Sequence, residues 1–180
     1  MQKPNLRRHL LTAIPKLHYP SSALKKIFLD RLLDSRPLLQ SAGALDHFCA
    51  FFAPVHVESS SIFVGHHIKA NKWFPPGGHI EQNELPNQTV KREAAEELRY
   101  RIEDRNIVFF DLSTVPITNR KEICTAHYDL WHYFLADRLS FPFDRGEFYE
   151  AGWMSFDEAI KKASQTSVRL SLRHLKETIQ

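Results

Sequence analysis

Apolar and polar positions divide the chain into stretches of helical and of strand spacing. From Ser21, residues Leu24, Ile27, Phe28 and Leu32 recur at i, i+3, i+4 and i+8, with Lys25, Lys26, Asp30 and Arg31 on the opposite face. This predicts an amphipathic helix, capped by Ser21 or Ser22 and stopped by Pro37. Pro4, Pro15 and Pro20 break any long helix before it. From Leu45 the pattern changes: Phe48, Ala50 and Phe52 alternate with Cys49 and Phe51, so both faces are apolar and a buried strand is expected. Further strands are expected at Ser61–Ile68, Asn106–Leu112, Ile123–Ala136 and Tyr149–Met154, with a short third element at Lys72–Phe74. In the Ile123–Ala136 strand, His127, Asp129, Trp131 and Tyr133 share one side, and Tyr128, Leu130, His132 and Phe134 the other. Ser155-Phe156-Asp157-Glu158 is a capping box that starts a helix, and Val168–Ile179 carries Leu172, Leu175 and Ile179 at helical spacing. Strands mixed with a few helices predict a layered α/β domain.

Composition narrows the class. With 180 residues, 43% hydrophobic and 25% charged, the chain can bury a core without staples. No apolar run approaches the ~20 residues that cross a bilayer, so no membrane association is expected. Two cysteines, Cys49 and Cys124, supply neither a disulfide framework nor a paired zinc motif, which points to a reducing compartment, the cytoplasm. The net charge of +3 is uneven: residues 1–45 hold eight Lys and Arg against two acids. Acid-free residues 1–29 have the tint of a transit peptide, but they read better as an exposed basic arm. We therefore expect an N-terminal helical arm over 1–44 and a domain over 45–180. Without interleaved aromatics the arm does not argue for nucleic acid.

The chemistry concentrates in Gly78–Tyr100. Pro86 suits a first helical turn, and Thr89–Leu98 contains good helix formers. Val90, Ala94, Leu98 and Arg101 form one stripe; Glu93, Glu96 and Glu97 form the next. Three clustered carboxylates repel one another, and Arg92, paired with Glu96 at i+4, cannot balance all three. A hard divalent cation with oxygen ligands can.

The spacing of the whole segment resembles the Nudix box, G-x5-E-x7-R-E-U-x-E-E-x-G-U with U a bulky apolar residue: Gly78, Glu84, Arg92, Glu93, Glu96 and Glu97 coincide with its fixed positions. The approach Trp73-Phe74-Pro75-Pro76-Gly77-Gly78-His79-Ile80-Glu81 is similar to a variant of that family, and so is the Trp153-Met154-Ser155 step with Asp157-Glu158. Together they cover roughly residues 45–165. Two positions depart. Ala94 is small for its place, and Arg99 stands where the box has glycine, so the helix either ends in a left-handed residue, at about 1–2 kcal/mol, or runs on toward Asn106.

The resemblance implies an α/β/α sandwich with a mixed sheet and a hydrolase cleaving the diphosphate of a nucleoside diphosphate linked to a moiety X, with Mg²⁺ or Mn²⁺. It implies Glu93 and Glu97 as principal metal ligands, Glu96, Glu84 and the Gly77 carbonyl as further ones, and Arg92 as their orienter. The general base is open among Glu147, Glu150 and Glu122, with Glu147, in a loop six residues before Trp153, preferred. A nucleotide-sensing module without turnover is the alternative; such modules tend to lose the glutamates kept here. The partner expected is a small nucleotide derivative, and a homodimer is compatible with this reading. The ten histidines show no ligand spacing such as HExxH and read as structural or hydrogen-bonding residues. Trp73 and Trp131 could stack a base, but read first as core, and the two cysteines as small buried apolar residues.

Overall fold

In a computed structural model, residues 5–117 and 124–180 are described. Glu122, one of the three candidate bases, and Ile123, the expected start of a strand, lie outside them.

Helix α1 (Leu6–Ala13) precedes α2 (Ser22–Leu33). The long strand β1 (Asp46–His56) is followed by β2 (Ser61–His67), β3 (Lys72–Phe74) and β4 (Gly77–His79). Helix α3 (Pro86–Leu98) leads to β5 (Val108–Pro116) and β6 (Ala126–Leu135). Strand β7 (Phe148–Ser155), α4 (Phe156–Lys162) and α5 (Thr166–Ile179) complete the chain. Among the described residues the strands make one mixed sheet of order β3-β2-β1-β6-β5, with β4 on β1 and β7 on β2.

Strand β1 is the spine. One edge pairs parallel with β6 along its length, from Asp46 opposite Ala126 to Val55 opposite Leu135. The other pairs antiparallel with β4 at Cys49–Phe51 and with β2 at Val55–His56. Paired on both edges and covered on both faces, β1 has the apolar alternation expected of it. Its even side chains, Phe48, Ala50 and Phe52, pack with Val90, Ala94 and Leu98 of α3 and with Leu10, Phe28 and Leu32 of α1 and α2. Its odd side chains Ala53 and Val55 pack with Phe156, Ala159, Leu172 and Leu175 of α4 and α5. Helices thus cover both faces, in the α/β/α layering expected.

The expected caps are present. Ser21 Oγ accepts from the Leu24 N–H (3.1 Å), and Ser155 and Glu158 exchange the two bonds of a capping box. The prolines before α2 do not prevent a short helix, α1, continued by a 3₁₀ turn at Ile14–Lys16. The polar face assigned to α2 needs correction. Ile27 is 48% exposed, whereas Arg31 is buried, its Nε 3.0 Å from Asp46 Oδ2 and its Nη2 donating to the Asp46 carbonyl. A guanidinium can enter the packed face because a carboxylate and carbonyls at the start of β1 receive its protons.

The inward ring of α2 is Phe28, fully buried edge-on to Phe48 and Tyr128. Phe28→Ala should lose about 3–5 kcal/mol in urea unfolding, while Ile27→Ala should stay within about 0.5 kcal/mol; equal losses would show that α2 packs otherwise.

Candidate active site

The glycines before α3 decide where its carboxylates stand. Gly77 has φ +146°, and a Cβ there would strike the β1 backbone at Ala50 and Phe51. A Cβ on Gly78 would occupy the place of the Glu93 carboxylate. Bare backbone therefore lets α3 lie close against β4. Pro86 sits in its first turn, and Gln88 Oε1 accepts from the Leu85 N–H (2.7 Å). At the other end the alternative left open by the sequence is decided: the helix stops at Leu98, and Arg99 takes the left-handed conformation (φ 51°, ψ 35°) that glycine adopts without strain.

Arg92 organises the acids. Its Nε and Nη2 fork onto the two oxygens of Glu84 (2.9 and 3.1 Å), Nη1 reaches Glu93 Oε1 (2.8 Å) and Glu96 Oε2 (3.3 Å), and Nη2 also donates to the His79 carbonyl (3.0 Å). Burial works against the charge on Glu84, but bonds from Arg92, Thr89 and the Glu81 amide outweigh it and hold its pKa below the usual range. Those bonds, above all to Glu84, push the Arg92 pKa further up. Glu84 is thus occupied with Arg92 and lies outside the cavity lining, while Gly77, Arg92, Glu93, Glu96, Glu97 and Glu147 all line one cavity of about 690 Å³.

Glu97 is only 4% exposed. It accepts one amide proton, from Gly77 N (3.1 Å), and among the described residues it has no cation. Burial first and the charge of Glu93 second raise its pKa well above normal; burial likewise raises Glu93. A carboxylate this buried and without a counter-charge beside a second one is an unbalanced anionic site. Its donors are all hard oxygens, so Glu93, Glu96 and Glu97 fit Mg²⁺ or Mn²⁺.

Glu147 is brought to the same cavity by backbone bonds: the Asp144 N–H donates to the Glu97 carbonyl (2.8 Å), and the Ile68 N–H to the Glu147 carbonyl (2.9 Å). Its carboxylate is 42% exposed and 3.9 Å from Lys69 Nζ. Glu150, the other described candidate, instead faces Lys162 at 4.0 Å. Trp73 stacks on His66 (5.4 Å) and has Lys162 Nζ 3.9 Å from its ring centroid. Trp131 is buried, stacked on Phe51, and donates to Ser113 Oγ (2.9 Å), which donates in turn to Asp129 Oδ2 (2.9 Å). Burial raises the Asp129 pKa to about 7.

Sequence reasoning missed a further part of the cavity. Cys49, His79, His127 and Asp129 line it, and His47 clusters with the first three. The i, i+2 pair His47 and Cys49 was the available signal; His79 and His127 join it only through strand pairing.

A family model described as NUDIX domain matches residues 50–174. No curated protein sequence matches the chain. Among solved structures, dihydroneopterin triphosphate pyrophosphohydrolase of E. coli superposes with a TM-score of 0.63 at 13% identity, over 73% of this chain and 95% of that one. A NUDIX-family hydrolase from Clostridium perfringens gives 0.55 at 22% identity (74% and 98% covered), and an Ap4A hydrolase of C. elegans 0.55 at 17% (73% and 97%). At these identities the likeness shows the fold.

Two substitutions test the geometry. Arg92→Lys keeps the charge but not the fork, and should weaken Mn²⁺ binding about 10–100-fold in titration calorimetry. Arg99→Gly should stabilise the fold by about 0.5–1 kcal/mol, as relief of left-handed strain exceeds the added freedom of the unfolded chain; a lower melting temperature would contradict the helix end described.

Proposed function

The chain belongs to the Nudix family of pyrophosphohydrolases, and we propose that it uses Mg²⁺ or Mn²⁺ to hydrolyse the diphosphate linkage of a nucleoside diphosphate joined to a further moiety. One observation carries this reading: the buried Glu97 and the partly buried Glu93 beside it open on a cavity of substrate size and have more negative charge than Arg92 can offset.

The assignment of roles is ours. Glu93 and Glu97 hold the cation, with Glu96 at the rim; Glu84 holds Arg92, and Arg92 fixes the rotamers of Glu93 and Glu96. The cation, when bound, screens the diphosphate and makes a water acidic enough to attack. Glu147, tied to α3 through the Asp144 and Glu97 backbone, receives the proton of the attacking water. Lys69, beside it, offers a positive charge to a phosphoryl oxygen. Phe51, Phe74 and Trp131 form an apolar wall for the non-phosphate part of the substrate. The two cysteines supply no disulfide framework, and we propose a reducing compartment, the cytoplasm. Among the described residues no helix is long and apolar enough to cross a membrane.

The test is turnover of a panel of nucleotides, dinucleotides and nucleotide sugars with Mg²⁺ or Mn²⁺. Glu93→Gln and Glu97→Gln should each lower kcat at least about 100-fold while leaving the circular dichroism spectrum unchanged. Glu147→Gln should lower kcat with little change in KM. Binding with no turnover by the unmodified chain would favour the sensing module. In the same preparation, millimolar Mg²⁺ should raise the melting temperature of the unmodified chain and not that of Glu97→Gln.

A further inference from the structure

We propose that His47, Cys49, His79 and His127 form a second metal site, selective for a borderline-soft divalent ion such as Zn²⁺ and separate from the carboxylates of α3. This goes beyond the hydrolase reading and does not depend on it.

Three strands build the cluster. His47 and Cys49 are two apart on β1 and share a face; His79 on β4 is opposite Cys49, and His127 on β6 is opposite His47. One ligand atom from each, an imidazole nitrogen or the thiol sulfur, lies within 4.8 Å of every other. Around zinc, with bonds of about 2.0–2.1 Å to nitrogen and 2.3 Å to sulfur, tetrahedral neighbours stand roughly 3.3–3.7 Å apart. Small side-chain rotations close that difference, because the ring centroids are already 4.6 Å (His47 to His79), 4.8 Å (His47 to His127) and 5.5 Å (His79 to His127) apart.

The hydrogen bonding suits a metal. His47 Nδ1 donates to the Ala44 carbonyl (3.3 Å), which turns Nε2 into the open lone pair. That Nε2 is buried and has no hydrogen-bond partner. Unpaired buried nitrogens are costly, and a cation restores the missing partner. No carboxylate is in salt-bridge range of the three rings among the described residues. Cys124 Sγ lies 3.5 Å from His127 Nε2 at the rim. Three imidazoles with one thiolate suit zinc and not magnesium, whereas the oxygen set of α3 has the reverse preference. Binding replaces the Cys49 S–H proton, released to solvent, by an S–metal bond; no oxidant or reductant is needed.

Cysteine and histidine ligation has an optical readout in Co²⁺. Chain purified without a polyhistidine tag, stripped with chelator and titrated with Co²⁺ in excess Mg²⁺ should develop the visible bands of a tetrahedral ion and a near-ultraviolet thiolate-to-cobalt band, saturating at one equivalent and bleached by Zn²⁺. Cys49→Ser should abolish the thiolate band, and His127→Ala, at the half-buried rim, should weaken Co²⁺ binding at least 10-fold with an unchanged circular dichroism spectrum. Glu97→Gln should leave both bands in place, although it removes hydrolysis, so the two sites fail separately. Absence of tetrahedral bands, a thiolate band that survives Cys49→Ser, or loss of the bands in Glu97→Gln would each overturn the assignment.

Discussion

The site depends on a single guanidinium. Arg92 spends its donors on Glu84, Glu93, Glu96 and the carbonyl of His79, so one side chain ties the helix α3, the loop before it and the strand β4 into a unit. Charge-assisted and forked bonds fix orientation as well as distance. Without that fork the glutamates would repel one another and turn outward to water. With it, one is held between cation and cavity, and the next along, Glu97, is buried with an amide as partner. The Gly77-Gly78 backbone makes the approach feasible, since a methyl group on Gly77 would strike β1 and one on Gly78 would take the place of the Glu93 carboxylate.

Division of labour across the sheet follows from the alternation of β1. Even positions serve packing against α1, α2 and α3. Odd positions begin with chemistry, His47 and Cys49, pass through the aromatic wall at Phe51, and end in packing at Ala53 and Val55. The cavity exists because α4 and α5 cover the second half of that face, while the loop carrying Glu147 is drawn toward α3. The hard carboxylates and the imidazoles with their thiol thus adjoin one cavity, with His79 contributing its backbone to one group and its ring to the other.

Much of this was legible in the residues. Local signals, whose partners lie within a turn or two, translated directly: the cap at Ser21, the box at Ser155 and Glu158, the paired faces of β6, and the acidic stripe of α3. What local pattern misses are contacts between distant segments. Polarity puts Arg31 on the outer face of α2, yet it enters the packed face because Asp46, 15 positions away, meets it there. The histidines have no ligand spacing along the chain, and His47, His79 and His127 come together only across paired strands.

By itself the sequence determined the layered class, the helix and its row of acids, and the family, because helix and strand periodicity and the box spacing are properties of neighbouring residues. Only the tertiary structure decided that Arg99 ends α3 in a left-handed turn, that Glu84 is committed to Arg92, that Glu147 reaches the cavity, and that His47, Cys49, His79 and His127 converge. Those outcomes rest on strand register and on the backbone bonds between loops, and contacts between segments tens of residues apart leave no periodic trace in the chain that makes them.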